Sequence, residues 1–387
     1  MTRTEPLTVL FVVSEDWYFV SHRLPQARAV RDLGCRVIVA ARMRAHVEVI
    51  RAEGFETVPI PMVRGSLNPF TDLRAAFALW RLIRRRRPAV VHCVALKPII
   101  DAGVAALGVR GVAVVNAFTG MGAILGHGGQ RRRLLHRGLA AVIRVLSRLN
   151  RAYAIVQNAD DRDYLIAGGL APASRMVLIP GSGVDVEAFQ PAPEPAGPVT
   201  AMMVSRLLRN KGVYELVEAA RLLHTRGVDL RIRIVGDRDP ENPKSVDAAE
   251  VAVWQAAGDV EYLGRQDDVA ALWAEAHIAV LPSYYGEGVP KSLLEAAAAG
   301  RPIVTTDMPG CRDLVPDGET GELVAPRDAA GLADALERLA AAPRTRRRMG
   351  ERARALAVDR FAEERVIEQT QALYRRLLGL VGDAGAG

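Results

Sequence analysis

Six short apolar runs of strand length punctuate the first half of the chain, at residues 7–13, 36–40, 57–60, 89–92, 112–115 and 152–156. Helical periodicity separates them. One helix covers 23–33 and stops at Gly34, and a second stops at Gly54. A third covers 71–86, with Asp72 in its first turn and Pro88 just past its end. Strands alternating with helices imply right-handed crossovers and a parallel sheet.

Residues 191–198, PAPEPAGP, interrupt this pattern with four prolines, a stiff connector that marks a domain boundary. The alternation then restarts. Strands are predicted at 199–204, 230–235, 259–262, 278–281 and 303–305, and helices at 213–225 and 293–299, the latter ended by Gly300. From 328 to 380 the chain reads as mostly helical, with a break near Pro343. The class is α/β: two doubly wound, Rossmann-like domains, divided at 190/191. Ligands of such sheets bind at the carboxyl ends of the strands, so the expected site is a cleft that the two domains face.

The 387 residues suffice for two such domains, and a composition half hydrophobic and one quarter charged excludes disorder, collagen and coiled coil. No apolar run provides the roughly 18 uncharged residues of a spanning helix. The nearest, 88–107, contains His92, Lys97 and Asp101. The first apolar run is short and ends in Ser14, Glu15 and Asp16, unlike a signal peptide. Cys35, Cys93 and Cys311 are scattered, without metal-ligand spacing, and read as reduced packing residues of a cytoplasmic protein.

Charge is uneven. Residues 1–190 carry 26 basic and 14 acidic side chains, residues 191–387 carry 25 and 30. The first half is therefore suited to an anionic partner. Arginines cluster at 84–87 and again at 131–133, followed by Arg137, Arg144, Arg148 and Arg151. The second cluster shares a helix with Leu134, Leu135, Leu139, Val142, Ile143, Leu146 and Leu149. A basic amphipathic helix can lie on an anionic membrane surface; the alternative is a solvated face of an arginine-rich protein. No nucleic-acid recognition motif accompanies the charge.

Candidate chemistry concentrates in PSYYGEGVPKSLLEAAAAGRPIVTTD, residues 282–307. A strand leads into a turn containing Gly286, Glu287 and Gly288, and Pro290 suits the first turn of the helix that follows. Such a helix presents free backbone N–H groups and positive dipole density, a ready anion site. Gly288 permits close approach of a ligand. Glu287 in the turn and Glu295 in the helix can bond hydroxyls of two rings flanking one diphosphate, or can be a cap and a surface residue. Likewise Arg206 and Lys211 of SRLLRNKG, residues 205–212, can grip one anionic group or belong to a solvated loop.

Together SRLLRNKG, GRQDD (264–268) and EGVPKSLLEAAAAGRPIV resemble the donor half of family 4 glycosyltransferases, in which the E-x7-E pair is the hallmark. The likeness spans nearly the whole chain. RGSLNPF (64–70), the Lys97-Pro98 loop and FTGMG (118–122) resemble the subgroup that extends polyprenyl-diphosphate-linked sugars. That subgroup includes the enzyme that adds N-acetylgalactosamine to a bacillosamine carrier.

The resemblance implies a GT-B fold, retention at the anomeric carbon, and neither metal nor cofactor beyond a UDP-sugar co-substrate. It implies that Arg206 and Lys211 bind the donor diphosphate, with the backbone of Gly288, Val289, Pro290, Lys291 and Ser292. Glu287 meets the donor sugar, Glu295 the ribose, and the Gly264–Arg265 turn lies by the base. Residues 366–387 would form a helix crossing back to the first domain. The implied acceptor is a polyprenyl-diphosphate-linked saccharide at the inner face of the cell membrane.

The chain departs from the family in two places. A Gly-Gly pair common after the first strand is replaced by Ser14-Glu15-Asp16-Trp17-Tyr18, and Thr119 stands near the position where many relatives place a histidine. Glu15 and Asp16 either position the acceptor hydroxyl or cap a turn. His22 and His92 are acceptor contacts or structural, and Lys97 meets an acceptor diphosphate or is a surface residue. A sugar-nucleotide epimerase of the same architecture and a non-catalytic nucleotide-sugar-binding subunit are the competing readings.

Overall fold

The computed structural model describes residues 6–62, 68–121 and 130–380. Residues 64–67 of the RGSLNPF motif, Gly122 of FTGMG, the tail 381–387 and the side chains of Arg131, Arg132 and Arg133 lie outside the described residues.

The chain divides into two compact units, residues 1–182 with 364–387, and residues 183–363. In the first, seven parallel strands order as β3-β2-β1-β4-β5-β6-β7. They are β1 (Thr8–Glu15), β2 (Arg36–Arg42), β3 (Glu56–Pro59), β4 (Val90–Val94), β5 (Ala113–Ala117), β6 (Tyr153–Val156) and β7 (Met176–Leu178). Leu10 and Val12 pack under the helices Pro69–Arg86, Leu96–Ala105 and Gln130–Leu149, while Val9, Phe11 and Val13 face the opposite layer. Two-sided burial makes these strands continuous apolar runs, hence their legibility.

The second unit repeats the plan with six parallel strands in the order β10-β9-β8-β11-β12-β13. They are β8 (Val199–Val204), β9 (Leu230–Val235), β10 (Glu261–Gly264), β11 (Ile278–Leu281), β12 (Ile303–Thr306) and β13 (Gly321–Val324). In each sheet the strand order reverses once, between β1 and β4 and between β8 and β11.

Three features correct the sequence reading. Residues 16–22 form a helix, Asp16–His22, directly after β1. The short strands β7 and β13 were not predicted, since the three and four residues of MVL and GELV are too few to show a period. The division falls at 182/183, before the proline connector, because Val184 and Val186 already pack in the second core. The connector itself is pinned there: Glu194 pairs with Arg346 at 2.8 Å, and the Pro195 carbonyl lies 3.1 Å from His277 Nε2.

The final helix, Glu363–Leu378, belongs to the first unit from residue 364 onward. It buries Val366, Leu373 and Tyr374 there. Tyr374 Oη lies 2.7 Å from His92 Nδ1, and the His92 ring stacks on Phe11. Burial, and secondarily Arg23, pushes the His92 pKa down to about 3, so this histidine is a neutral core residue. All three cysteines are buried, and burial pushes the Cys311 thiol up to about 12.

Candidate active site

The strand-order reversal of the second sheet carries the charged residues singled out in the sequence. Arg206 and Lys211 follow β8, and Ser283 and Glu287 follow β11, the two strands on either side of the switch point where open α/β sheets bind ligands. After β8 the chain makes a 3₁₀ turn, Arg209–Lys211, and then Gly212 at φ +81°. A Cβ on Gly212 would lie 2.1 Å from the Pro282 carbonyl oxygen, so only glycine lets the two loops touch.

This contact brings Lys211 and Glu287 together. Lys211 Nζ donates to Glu287 Oε1 at 2.6 Å, and Ser283 Oγ donates to the same oxygen at 2.8 Å. Both charged side chains are largely buried, at 17% and 15% exposure. An ammonium has three N–H groups, so the ion pair leaves Lys211 with capacity for anionic oxygens. Thr306 in β12 donates to the Ser283 carbonyl, and Asn210 receives the backbone N–H of Tyr284 at 3.2 Å. Arg206 Nη1 donates to Asp239 in the loop after β9 at 2.6 Å.

Helix Lys291–Ala298 begins just beyond the loop, with Pro290 as its N-cap residue and Val289 buried before it. Glu295 lies one turn in, with Lys291 Nζ 3.8 Å away. Burial pushes its carboxyl up to about 7, against the opposing effect of Lys291. Gly288 is packed from behind by Gly310. On the far side of β9, Gly264 accepts from the Gly236 N–H at 2.8 Å, and Arg265 is solvent-exposed beside Asp267. Asp239, Asn210, Ser283 and Gly310 escaped the sequence reading. The available signal was position: the first three lie just past the carboxyl end of β9, β8 and β11.

The first unit holds the other candidates at the carboxyl ends of its own strands. Asp16 is fully buried and accepts the backbone N–H groups of Arg44 and His46 at 2.6 and 3.0 Å. It fixes the turn after β2, which corrects its assignment as an acceptor contact. Glu15 is buried, with Arg42 3.5 Å away. His22 stacks on Tyr18, and its Nδ1 lies 2.6 Å from Ser21 Oγ. Lys97, read either as a contact to an acceptor diphosphate or as a surface residue, is largely buried, pairs with Asp72 and has Asp101 4.0 Å away. Burial raises the Asp101 carboxyl to about 6. Thr119 is half-buried just after β5.

Two doubly wound sheets, the second with a cationic cluster beside a helix N-terminus at its switch point, define the GT-B class of glycosyltransferases. The family model described as "Glycosyl transferase 4-like" matches residues 8–157, and "Glycosyl transferases group 1" matches residues 198–342. The chain belongs to this glycosyltransferase family, family 4.

EpsD of Bacillus subtilis, described as a glycosyltransferase, is 27% identical over 388 residues, 95% of this chain and 96% of that protein. The N,N'-diacetylbacillosaminyl-diphospho-undecaprenol alpha-1,3-N-acetylgalactosaminyltransferase of Campylobacter jejuni is 26% identical, over 92% of this chain and 95% of that one. Among solved structures, a glycosyltransferase from Rickettsia africae superposes with a TM-score of 0.75 at 18% identity, covering 97% and 99% of the two chains. HepE of Anabaena, solved in complex with UDP-glucose, gives 0.74 at 17% identity, covering 96% and 100%.

Proposed function

We propose that this glycosyltransferase moves a hexose or N-acetylhexosamine from a UDP-sugar to a polyprenyl-diphosphate-linked saccharide in bacterial polysaccharide assembly, with retention. The observation that carries the reading is the Lys211–Glu287 pair at the switch point, beside Arg206 and the N-terminus of helix Lys291–Ala298. The acceptor class rests on the Campylobacter relative.

In this reading Arg206, Lys211 and the 288–292 backbone hold the donor diphosphate. Glu287 bonds the donor sugar hydroxyls, Glu295 the ribose, and the Gly264–Arg265 turn borders the base. The bond from the anomeric carbon to the diphosphate oxygen breaks with its electron pair going to that oxygen. Fixed cations and N–H groups stabilise the charge that develops there. The acceptor hydroxyl attacks from the same side, and its proton passes to the departing phosphate oxygen. Glu15, His22 and Thr119 border the acceptor. The reaction needs no metal or cofactor, and the enzyme works at the cytoplasmic face of the membrane, held by the basic helix Gln130–Leu149.

A thermal-shift screen against UDP, GDP, ADP and a panel of UDP-sugars tests the donor. Ligand at 100 times its Kd adds about 2.7 kcal/mol of stability. Selective stabilisation by UDP and one UDP-sugar is expected; stabilisation by GDP or ADP alone overturns the UDP assignment. Transfer to a synthetic polyprenyl-diphosphate saccharide, with the product anomer read by NMR, tests acceptor class and stereochemistry.

Glu295 adds a pH signature. Ribose hydroxyls donating to its carboxylate favour the charged form and lower its pKa from about 7. Binding of a UDP-sugar, whose own diphosphate does not titrate there, therefore strengthens as pH rises toward 7 and levels off above it. Glu295→Gln is expected to flatten that rise in a calorimetric titration. An unchanged pH profile in the variant would detach Glu295 from the nucleotide.

A further inference from the structure

Three of the described arginines are buried: Arg23, Arg301 and Arg346. Two of them have partners. Arg301 donates to the carbonyls of Trp273 and Ala274, and Arg346 donates to Glu194 and to the carbonyls of Leu339 and Ala340. Arg23 is different. It is 4% exposed, and its Nε and Nη2 have no hydrogen-bond partner. It forms no ion pair with a described residue. A charge buried without a counter-ion is among the most costly arrangements a fold can hold, so buried cations come paired.

The surroundings of Arg23 supply donors and no carboxylate partner. Arg23 joins helix Asp16–His22 to helix Leu24–Arg31, in the layer that packs on Phe11. Gln26, three residues on, is buried on the same side of the second helix. Its Nε2 donates to the Ser182 carbonyl at 3.3 Å. Across the layer stand His92 of β4 and Tyr374 of the final helix, the pair described above. The Arg23 charge bears on both rings. It adds to burial in lowering the His92 pKa, and it opposes burial in holding that of Tyr374 up. His92 Nε2, Ser182 Oγ and Gln26 Oε1 are also buried without a partner. Of these five orphaned atoms, the two arginine nitrogens, the imidazole nitrogen and the hydroxyl can donate, and only the amide oxygen is confined to accepting. What the cluster lacks is an acceptor that carries negative charge.

We infer that the first unit binds a small inorganic anion, of chloride size, between Arg23 and His92. Arg23 Nε and Nη2 donate to it. Tyr374 donates to His92 Nδ1, so the neutral imidazole keeps its hydrogen on Nε2 and donates to the same ion. Gln26 and Ser182 border the site. Burial of all these groups sets the size, because a close-packed interior admits a monatomic ion where a diphosphate needs an open groove. Ser182 is the last residue of the leading segment of this unit, and Tyr374 lies on the helix that returns to it. The ion therefore fastens the segments by which the chain leaves and re-enters the unit.

The test is thermal unfolding of the full chain as chloride or bromide replaces gluconate at fixed ionic strength, with bromide then located by anomalous diffraction. Either halide is expected to raise Tm saturably, by about 2 °C or more, and bromide is expected beside Arg23 and His92. Arg23→Met is expected to erase the halide dependence, and the comparison with wild type cancels general salt effects. In gluconate the variant should melt no lower than wild type, since an uncompensated buried charge gives way to an apolar side chain. Arg23→Lys keeps the charge and should keep part of the dependence. Wild-type Tm indifferent to halide, with no bromide at Arg23, overturns the inference and leaves water as the acceptor. Halide dependence that survives in Arg23→Met overturns it as well, by placing the ion elsewhere. Should Arg23→Met fail to fold, the position of bromide in the wild type decides alone.

Discussion

Lys211→Ala is expected to lower kcat/KM for glycosyl transfer by at least about tenfold, and Glu287→Ala by a similar factor. A tenfold loss corresponds to about 1.4 kcal/mol of transition-state stabilisation. The two side chains meet at 2.6 Å in a largely buried setting. Removing either takes away the other's oppositely charged neighbour as well as its own proposed contact to the donor. Glu287→Gln separates these effects, because an amide oxygen can still accept from Ser283 Oγ while the charge is gone. Steady-state kinetics of the three variants, alongside their UDP-induced thermal shifts, distinguish lost binding from lost chemistry. Near wild-type kcat/KM in both alanine variants would remove the pair from the donor site.

Gly310→Ala is the second large effect. Gly310 sits at φ +81°, and a Cβ there would lie 1.8 Å from the Gly288 carbonyl oxygen and 2.8 Å from that of Glu287. The left-handed backbone costs a non-glycine residue about 1–2 kcal/mol. The clash is with backbone, so the loop bearing Glu287 must move away. A total destabilisation on the order of 3 kcal/mol is expected, together with weakened UDP-sugar binding. Gly227 is the control, since it has φ +70° with open space where a Cβ would stand. Gly227→Ala should show the backbone strain alone, with donor binding intact. If Gly310→Ala melts and binds like Gly227→Ala, the packing of Gly310 behind Gly288 does not shape the donor loop.

The alternation of strands and helices was legible because strands such as Val90–Val94 are buried on both faces and read as unbroken apolar runs. The residues proposed to hold the donor were legible because their spacing survives in the linear chain: SRLLRNKG after one strand, E-x7-E after another. The loop after β1 was opaque. Asp16 is followed by Trp17, Tyr18 and Phe19, which in isolation look like a functional loop, yet Phe19 is a core residue and Asp16 holds the turn after β2. The surroundings of Lys97 were hidden for a related reason, since its partner Asp72 lies on a different helix.

The amino-acid sequence by itself determined the α/β class and the repeated doubly wound plan, which follow from periodicity. It also singled out the cationic and acidic residues proposed to hold the donor, through short-range spacing and the family resemblance. Only the tertiary structure decided which charges meet. Lys211 and Glu287 are 76 residues apart and become partners because β8 and β11 are neighbours in the sheet and Gly212 lets their loops touch. The tertiary structure also decided which apolar face of helix Pro69–Arg86 packs inward. Periodicity reports that a helix carries apolar residues at every turn, while burial against the sheet selects Ala75, Leu79 and Ile83 and leaves Phe70, Leu73, Phe77 and Trp80 in water.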